Sequence, residues 1–558
     1  MFRRILIANR GEIALRIART CREMGIAAAV IHSDADAGSL PVALADEAIG
    51  LGDPWCYLDS ERIVRAAQEW GAEAIHPGYG FLAENGAFAR LCREAGIAFI
   101  GPAPEVMELL GEKDRARAHA RALDIPCLPG TDGPVSTVDE AARAAAAIGY
   151  PVLIKAVAGG GGRGMRVARD EDELREQLPR AMSEARSAFN VPDVYLEKYL
   201  EGARHVEVQV LADAHGHVVH LGERDCTIQR RHQKLIEESP SPAVGERVRQ
   251  AMGEAAVRLL ASVGYVNAGT VEFLVDPSGK FYFLEVNTRI QVEHPVTEMR
   301  FGVDLVAQQI RVAAGLPLPF SQKNLSARGW AIECRVNAED PLRGFQPAPG
   351  LITGYAPPAG PGIRVDSAAR DGWRLPPFYD SMMAKVIAWA PDRTGALNRM
   401  VRALEEFQVE GVPTTIPFHL AVLRHPAFAA GRVTTAFAET GVSGADIARW
   451  AGRLAKPARR SPPAQARRQP AIRELGGGGT SAAIPVAAIA AAVAAVLHDR
   501  PHRIACIVPS PASRKPSGMW GAAGRSNLMN QRRALCNFGW YRGNGRVQQL
   551  APPLRGDR

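Results

Sequence analysis

Between Phe283 and Pro295 an apolar strand end runs straight into side chains that bind cations and anions. Two carboxylates, Glu285 and Glu293, share this stretch with Asn287, Arg289 and Gln291. Successive side chains of a strand point to opposite faces, so Glu285 and Asn287 project the same way. Glu272, in Gly-Thr-Val-Glu-Phe-Leu, lies on the preceding apolar run, which reads as the neighbouring strand. Glu272, Glu285 and Asn287 make an all-oxygen, hard donor set of the kind that holds magnesium on nucleotide phosphates. Arg289 and Gln291 continue that face toward a small anion. The alternative is a salt-bridged strand end. The density of polar groups beside an apolar strand, together with the partners below, favours a site.

Those partners begin with a lysine and a run of glycines. Lys155 ends an apolar strand that leads into Gly159, Gly160, Gly161 and Gly162. Glycines let backbone N–H groups approach phosphate oxygens and permit positive φ, and a loop of this kind can close over nucleotide as a lid. The spacing does not match G-x-x-x-x-G-K-[ST], so this is not a P-loop. A flexible hairpin is the alternative for the glycines alone. Val194–Leu200 reads as an edge strand whose backbone can meet a base edge, and His205–Val210 as an amphipathic strand. Glu223 to Lys234 crowds polar groups between apolar runs. We read it as a substrate-facing loop in which His232 and Lys234 meet anionic oxygens, against the default of a solvated charge run. His76-Pro-Gly-Tyr-Gly-Phe-Leu is a glycine-punctuated loop at a strand's carboxyl end, where open α/β sheets bind ligands, or else a plain loop. Arg335, on a strand between Glu333 and Asn337, is either a structural salt bridge or a further anion contact.

These groups need a scaffold. The chain alternates strand and helix from its start, with Ile5–Ala8, a helix Gly11–Met24, then Ala27–His32, repeating to Phe99-Ile-Gly-Pro. That pattern predicts an open parallel sheet with helices on its faces. The first turn, Asn9-Arg-Gly-Glu-Ile-Ala, lacks the G-x-G-x-x-G fingerprint, which argues against a dinucleotide-dependent dehydrogenase. Lys113 opens a second domain at the helix Asp114–Leu123. A third unit, Trp330 to about Phe437, holds strands Ala331–Val336 and Lys385–Trp389 and a helix Arg393–Glu406. Its loop Pro376–Ser381 is expected to approach another domain. Beyond Ala445, a Pro/Arg linker from Lys456 to Pro470 precedes an expected short helix, Ile484–Leu497, and a strand, Ile504–Val508.

A chain of 558 residues exceeds one core, so three or four domains are expected. The net charge of +8 is uneven: residues 449–558 hold 19 Lys+Arg against 3 Asp+Glu, a balance of +16, which leaves −8 for residues 1–448. The basic character belongs to the tail and gives no sign of nucleic-acid binding by the main body. The eight cysteines are scattered without paired short spacing, which disfavours zinc and disulfides and suits a reducing compartment. No signal peptide precedes the first strand, and the longest apolar run, Ala482–Leu497, is interrupted by Pro485 and too short for a bilayer. A cytoplasmic protein is the expectation.

Taken in order, several stretches resemble the biotin carboxylase subunits of the ATP-grasp superfamily, including the biotin carboxylase components of acyl-CoA and pyruvate carboxylases. They are Arg4-Ile-Leu-Ile-Ala-Asn-Arg-Gly-Glu-Ile-Ala, His76-Pro-Gly-Tyr-Gly-Phe-Leu, Lys155 with its glycines, and Glu223-Arg-Asp-Cys through Lys234. Glu285-Val-Asn-Thr-Arg-Ile-Gln-Val-Glu-His-Pro-Val-Thr-Glu and Arg364-Val-Asp-Ser complete the set. The resemblance covers residues 2 to about 440. It implies an α/β fold in four parts. These are an open parallel-sheet N-terminal domain over 1–112, an ATP-grasp domain over 113–327 with a mobile glycine-rich lid at about 130–203, an α+β C-terminal domain over 328–440, and a low-complexity basic tail over 441–558.

The resemblance also implies a ligase that carboxylates biotin on a carrier protein, with bicarbonate and ATP, through carboxyphosphate. By position, Lys113, Lys155, Gly161, Gly162, Glu197, Lys198, Leu200, His205, Gln229 and His232 match nucleotide-binding residues. Glu272, Glu285 and Asn287 match ligands of Mg2+ (or Mn2+). Lys234, Arg289, Gln291 and Val292 match the bicarbonate site, Glu293 the base, and Arg335 the residue facing the biotin ureido group. Biotin is expected on a separate protein, since no Ala-Met-Lys-Met-type sequence occurs and the lysines after Lys385, Lys456 and Lys515, each precede proline. The implied partners are a biotin carboxyl carrier protein, carboxyltransferase subunits, and a second copy of the chain or a larger carboxylase complex. No nucleic acid or membrane partner is implied. Acyl-CoA carboxylation in fatty acid biosynthesis is one such setting.

Two rivals stand beside this reading. Another ATP-grasp ligase, of carbamoyl-phosphate or purine-pathway carboxylase type, would share the lysine, glycines and metal carboxylates, but not Arg289-Ile-Gln-Val-Glu-His-Pro with Arg335. A non-enzymatic role, as a nucleotide-binding scaffold or a nucleic-acid binder acting through the tail, is disfavoured because the tail has few aromatics and no recognised binding fold.

Overall fold

The computed structural model describes residues 1–131, 133–156, 165–189 and 193–455. Gly161 and Gly162 lie outside these residues, as do the expected linker, helix and strand beyond Lys456.

The first five strands are β1 (Arg4–Ile7), β2 (Ala27–His32), β3 (Glu47–Gly50), β4 (Ala74–His76) and β5 (Ala98–Phe99). They form the expected parallel sheet in the order β3-β2-β1-β4-β5. Ile5, Leu6 and Ile7 are all buried, because helices cover both faces of a parallel sheet and leave no polar side. The order reverses at β1, so the loops after β1 and β4 lie side by side, as at a ligand-binding switch point. Asn9 ties them together, its Nδ2 donating to the carbonyls of Pro77 and Tyr79 at 2.7 Å each. Gly78 is required there: its φ is +63° and a Cβ would come within 2.9 Å of Asn9 Nδ2.

Strands β6 (Val152–Ala156), β7 (Arg166–Ala168) and β8 (Val194–Lys198) form a separate sheet in the order β7-β6-β8, with β8 at an edge as expected. Helices Val138–Ile148 and Glu171–Phe189 share its core, Leu174 and Leu178 packing with Val152 and Ile154.

The next strands are β9 (Arg204–Ala212), β10 (Val218–Arg230), β11 (Gln233–Ser239), β12 (Asn267–Val275), β13 (Phe281–Asn287) and β14 (Trp330–Asn337). Two short ladders follow, β15 (Glu339–Asp340) with β16 (Gln346–Pro347), and β17 (Gly354–Ala356) with β20 (Gln408–Glu410). Between them come β18 (Ile363–Ser367) and β19 (Met382–Ala390). The long strands make one eight-stranded antiparallel sheet, β13-β12-β9-β10-β11-β14-β19-β18. The ladder continues without a break from residues 113–327 into residues 328–440.

One expectation is corrected. Glu223–Lys234 is not a loop but most of the hairpin β10–β11, turning at Arg231 and His232, whose φ angles are 47° and 64°. Its polar side chains obscured the strand because they face buried ionic partners instead of water. The loop Pro376–Ser381 does reach the N-terminal sheet. Tyr379 bonds Ser33 Oγ at 2.7 Å and the Pro54 carbonyl at 3.0 Å, with the Arg10 guanidinium 4.0 Å from its ring centroid. Among the described residues, no helix is long and apolar enough to cross a membrane, and the six cysteines are free thiols.

Candidate active site

Strand register builds a polar row across the eight-stranded sheet. Glu285 stands opposite Glu272, Glu272 opposite Glu207, and Glu207 opposite Arg224. Farther along, Glu237 faces Glu333, Arg335 faces Lys385, and Lys385 faces Asp366. Directly opposed residues share a face of the sheet, so charge-bearing side chains cross it from β13 to β18. Between Glu272↔Glu285 and Phe273↔Phe283 the register shifts, leaving Leu284 as the extra residue of a bulge. Bulges of this kind re-aim a side chain beside a site.

The centre of the row is a closed ionic network. The Lys234 ammonium donates to Glu207 at 2.6 Å, and to Glu272 and Glu293 at 2.8 Å each, using all three of its donors. Arg224 is fully buried and spends its guanidinium on Glu207 (2.5 Å), Gln209 (2.7 Å), Thr297 (3.1 Å), Thr270 (3.1 Å) and Gln291 (2.7 Å). Arg335 donates to Glu237 at 2.6 Å and to Glu293 at 2.9 Å. Glu293 is thus gripped between Lys234 and Arg335.

These neighbours set the protonation states. Burial works to raise the pKa of Glu293, but Lys234, Arg335 and Arg224 outweigh it and hold the carboxylate well below its usual range. Glu272 behaves likewise, with Lys234 and His205 outweighing burial. Glu237 goes the other way: burial prevails over Arg335 and pushes it up to about 7. Glu333, with neither carboxyl oxygen hydrogen-bonded, is raised well above its usual value, by burial first and then by Glu237.

Toward β13 the network opens. Glu272 Oε1 also accepts from Asn287 and Gln291 at 2.9 Å each, and His205 Nε2 lies 2.9 Å from its other oxygen. Glu285 pairs with Lys113 at 3.2 Å, where both side chains are a third or more exposed. Lys155 and Arg117 both pair with Glu197. The Lys198 ammonium is committed to the carbonyls of Gly149 (2.9 Å) and Tyr150 (2.7 Å). Leu200 follows β8, half-buried, and Gln229 is buried opposite Lys234. His232 sits on the β10–β11 turn, its pKa lowered by partial burial and then by the nearby charges of Lys155 and His205.

Several groups of side chains here have metal-ligand types. The ligand atoms of His205, Glu207 and Glu272 lie within 4.8 Å of one another, but both oxygens of Glu207 are taken, one by Arg224 and the other by Lys234. Glu272, Glu285 and Asn287 offer hard oxygens with Glu285 reaching solvent, which fits magnesium better.

Family models match three consecutive segments: "Biotin carboxylase, N-terminal domain" over residues 1–107, "Carbamoyl-phosphate synthase L chain, ATP binding domain" over 112–321, and "Biotin carboxylase C-terminal domain" over 333–440. The biotin carboxylase of Nostoc sp. is 54% identical over 441 residues, 78% of this chain and 99% of the relative. The chain belongs to the biotin carboxylase family. It is an enzyme, a ligase of the ATP-dependent carboxylase kind. A pyruvate carboxylase subunit of Methanothermobacter thermautotrophicus is also 54% identical, over 79% of this chain and 90% of the relative. The biotin carboxylase domain of the Hydrogenobacter thermophilus 2-oxoglutarate carboxylase, solved as a dimer with MgADP, ADP and bicarbonate, matches with a TM-score of 0.76 at 50% identity. That match covers 79% of this chain and 97% of the other.

The site also contains residues that sequence reading did not single out. Glu84, just past the His76–Leu82 loop, accepts from the Thr288 backbone and from Arg289 Nε at 2.9 Å each. Two further Arg289 N–H groups go to the Ile290 carbonyl and Asn287 Oδ1, at 3.1 Å each. The fully buried Lys385 donates to the Val292 carbonyl at 2.8 Å and meets Glu12 at 3.1 Å, pinning the backbone beside Glu293. Glu207, Arg224 and Glu237 complete the set. Glu207 alternates with valines along β9, whereas Arg224 and Glu237 lie among consecutive charged residues that carried no strand signal.

Proposed function

We propose that this biotin carboxylase performs the first half-reaction of a multi-subunit carboxylase, turning ATP, bicarbonate and carrier-bound biotin into carboxybiotin, ADP and phosphate. The observation that carries the reading is Glu293, buried between Lys234 and Arg335 on the face that continues to Gln291 and Arg289. Bicarbonate is a poor nucleophile. Glu293 removes its proton as a bicarbonate oxygen attacks the γ-phosphorus, while Lys234, Arg289, Gln291 and the Val292 backbone hold the anion. In the free enzyme Glu293 is too weak a base for this. An anion that draws Lys234 and Arg335 toward itself relieves Glu293 of their charge and restores its basicity.

The carboxyphosphate so formed falls to CO2 and phosphate, and phosphate takes the ureido proton of biotin. Arg335, with its permanent charge, stabilises the resulting enolate oxygen, and the enolate nitrogen then attacks CO2. Lys113, Lys155, His205, Gln229 and His232, with the backbones of Gly161, Gly162, Glu197, Lys198 and Leu200, hold the nucleotide. Glu272, Glu285 and Asn287 would hold magnesium, or manganese with the same donors, whose charge neutralises phosphate oxygens. A separate carrier and carboxyltransferase, in the cytoplasm, would pass the carboxyl group to a 2-oxo acid such as pyruvate or to an acyl-CoA. The test is bicarbonate-dependent ATP cleavage with and without free biotin. Stimulation by biotin is expected, and a preparation that cleaves ATP with no response to biotin would favour another ATP-grasp ligase.

A further inference from the structure

The strand that carries Arg335 loses a neighbour at that residue. β11 pairs with β14 from Ser239↔Ala331 to Ile236↔Cys334, one residue short of Arg335, and on the other side the register with β19 shifts between Val336 and Asn337. A carbonyl buried at such a place needs a donor from elsewhere. Two come from the start of helix Ile416–Leu423. His419 Nε2 lies 2.6 Å from the Arg335 carbonyl oxygen, and Thr415 Oγ1, just before the helix, donates to the same oxygen at 2.9 Å. Thr415 also straddles the shift: its hydroxyl accepts from the Asn337 N–H at 3.0 Å, and its own N–H donates to the Asn337 carbonyl at 3.1 Å.

The partners assign the proton on the ring. A carbonyl can only accept, so His419 carries its hydrogen on Nε2. Burial pushes the imidazole pKa down to about 4, outweighing the contact with the Arg335 carbonyl, and the ring is neutral. Its Nδ1 is left without a partner in a fully buried side chain. An unpaired buried acceptor is destabilising, and holding the helix in place does not call for one. Ile416, Phe418, Leu420 and Val422 already share the core of Cys334 and Val336. What the ring adds is a donor aimed at Arg335.

We propose that His419 and Thr415 are positioning residues for biotin, fixing the backbone of Arg335 so that its guanidinium meets the ureido oxygen. The inference rests on the reading that Arg335 faces biotin. Arg335 is then held at two points, its carbonyl by His419 and Thr415 and its Nε by the fully buried Glu237 at 2.6 Å. Its Nη2, on Glu293 at 2.9 Å, is the end that exchanges a protein partner for the ureido oxygen. With the carbonyl released, the strand end turns about the shift beyond Val336 and re-aims the guanidinium, as a change at a bulge does.

The test divides the biotin-dependent increment in ATP cleavage by the rate without biotin, on the full chain with free biotin below its KM. Loss of folded enzyme lowers both rates and leaves this ratio alone, whereas a misplaced Arg335 lowers it. His419→Leu and Thr415→Val, which delete the donors, are expected to lower the ratio about tenfold, between the loss of one hydrogen bond and a full ångström of misplacement. His419→Gln and Thr415→Ser, which keep a donor, are expected to retain most of it. The near-isosteric Thr415→Val keeps the test open should His419→Leu fail to fold. An unchanged ratio in the deletion variants overturns the inference, and so does an equal loss in each donor-keeping variant and its deletion counterpart. A wild-type chain with no biotin-dependent increment is a different failure, that of the biotin carboxylase reading itself.

Discussion

Lys234 and Lys113 both pair with carboxylates of the same sheet face, yet they sit in different media. Lys234 is 12% exposed and serves three buried carboxylates, whereas Lys113 is 40% exposed and, among the described residues, pairs only with Glu285, itself 33% exposed. For two unit charges 4 Å apart the attraction is about 1 kcal/mol in water and about 4 kcal/mol at the effective dielectric of a protein. The central charges are therefore strongly coupled to one another, and a substrate anion enters by replacing protein partners. The edge charges are weakly coupled and remain available to phosphates and cations. On the proposed function, one face of one sheet gives bicarbonate a tight, dry site and the nucleotide's metal a loose, wet one.

The largest effect is expected at the centre. Glu293→Gln should lower bicarbonate-dependent ATP cleavage about 10³-fold, within the range for loss of a general base, while nucleotide affinity by calorimetry stays near the wild-type value. Lys234→Met leaves Glu207, Glu272 and Glu293 buried without their shared cation. It should cost about 3–5 kcal/mol in urea unfolding, as a broken buried pair does. Glu84→Gln weakens the grip on Arg289 across two regions of the chain and should raise the KM for bicarbonate about tenfold, the equivalent of one charge-assisted hydrogen bond.

Glu237 supplies a pH signature. Its folded pKa of about 7 lies above the usual value of 4.5, so the folded chain binds more protons than the unfolded chain between these values. Its contribution is present below that window and is lost as pH rises through 7. Glu237→Gln should therefore flatten the decline of stability across this range. The smallest effect is expected at the edge. Lys113→Met should shift unfolding by less than about 0.5 kcal/mol, as exposed pairs do, and show itself instead as a higher KM for MgATP. Equal stability losses for the Lys113 and Lys234 variants would remove the contrast between the two regions.

Glu285, Asn287, Arg289, Gln291 and Glu293 were legible in the sequence because they fall at alternate positions along and just past a recognisable strand end, and Glu272 because it interrupts the apolar run of the neighbouring strand. The parallel N-terminal sheet was legible too, since buried parallel strands read as unbroken apolar runs such as Ile5-Leu6-Ile7. The β10–β11 hairpin was not. A hairpin that turns Arg224 of one strand and Lys234 of the other toward buried carboxylates shows no apolar alternation there, and only their distant partners reveal that these charges are buried. Glu84 and Lys385 were hidden for a related reason: each acts through a contact more than 90 residues away, on Arg289 and Val292, which no local pattern records.

The most direct test of the central claim follows oxygen. If Glu293 activates bicarbonate for attack on the γ-phosphorus, bicarbonate labelled with heavy oxygen should deliver one labelled atom to each phosphate released in the presence of biotin. Mass spectrometry of that phosphate reads the result. Phosphate carrying oxygen from solvent water instead would mean that water attacks the nucleotide, and would contradict the assignment of this face to bicarbonate.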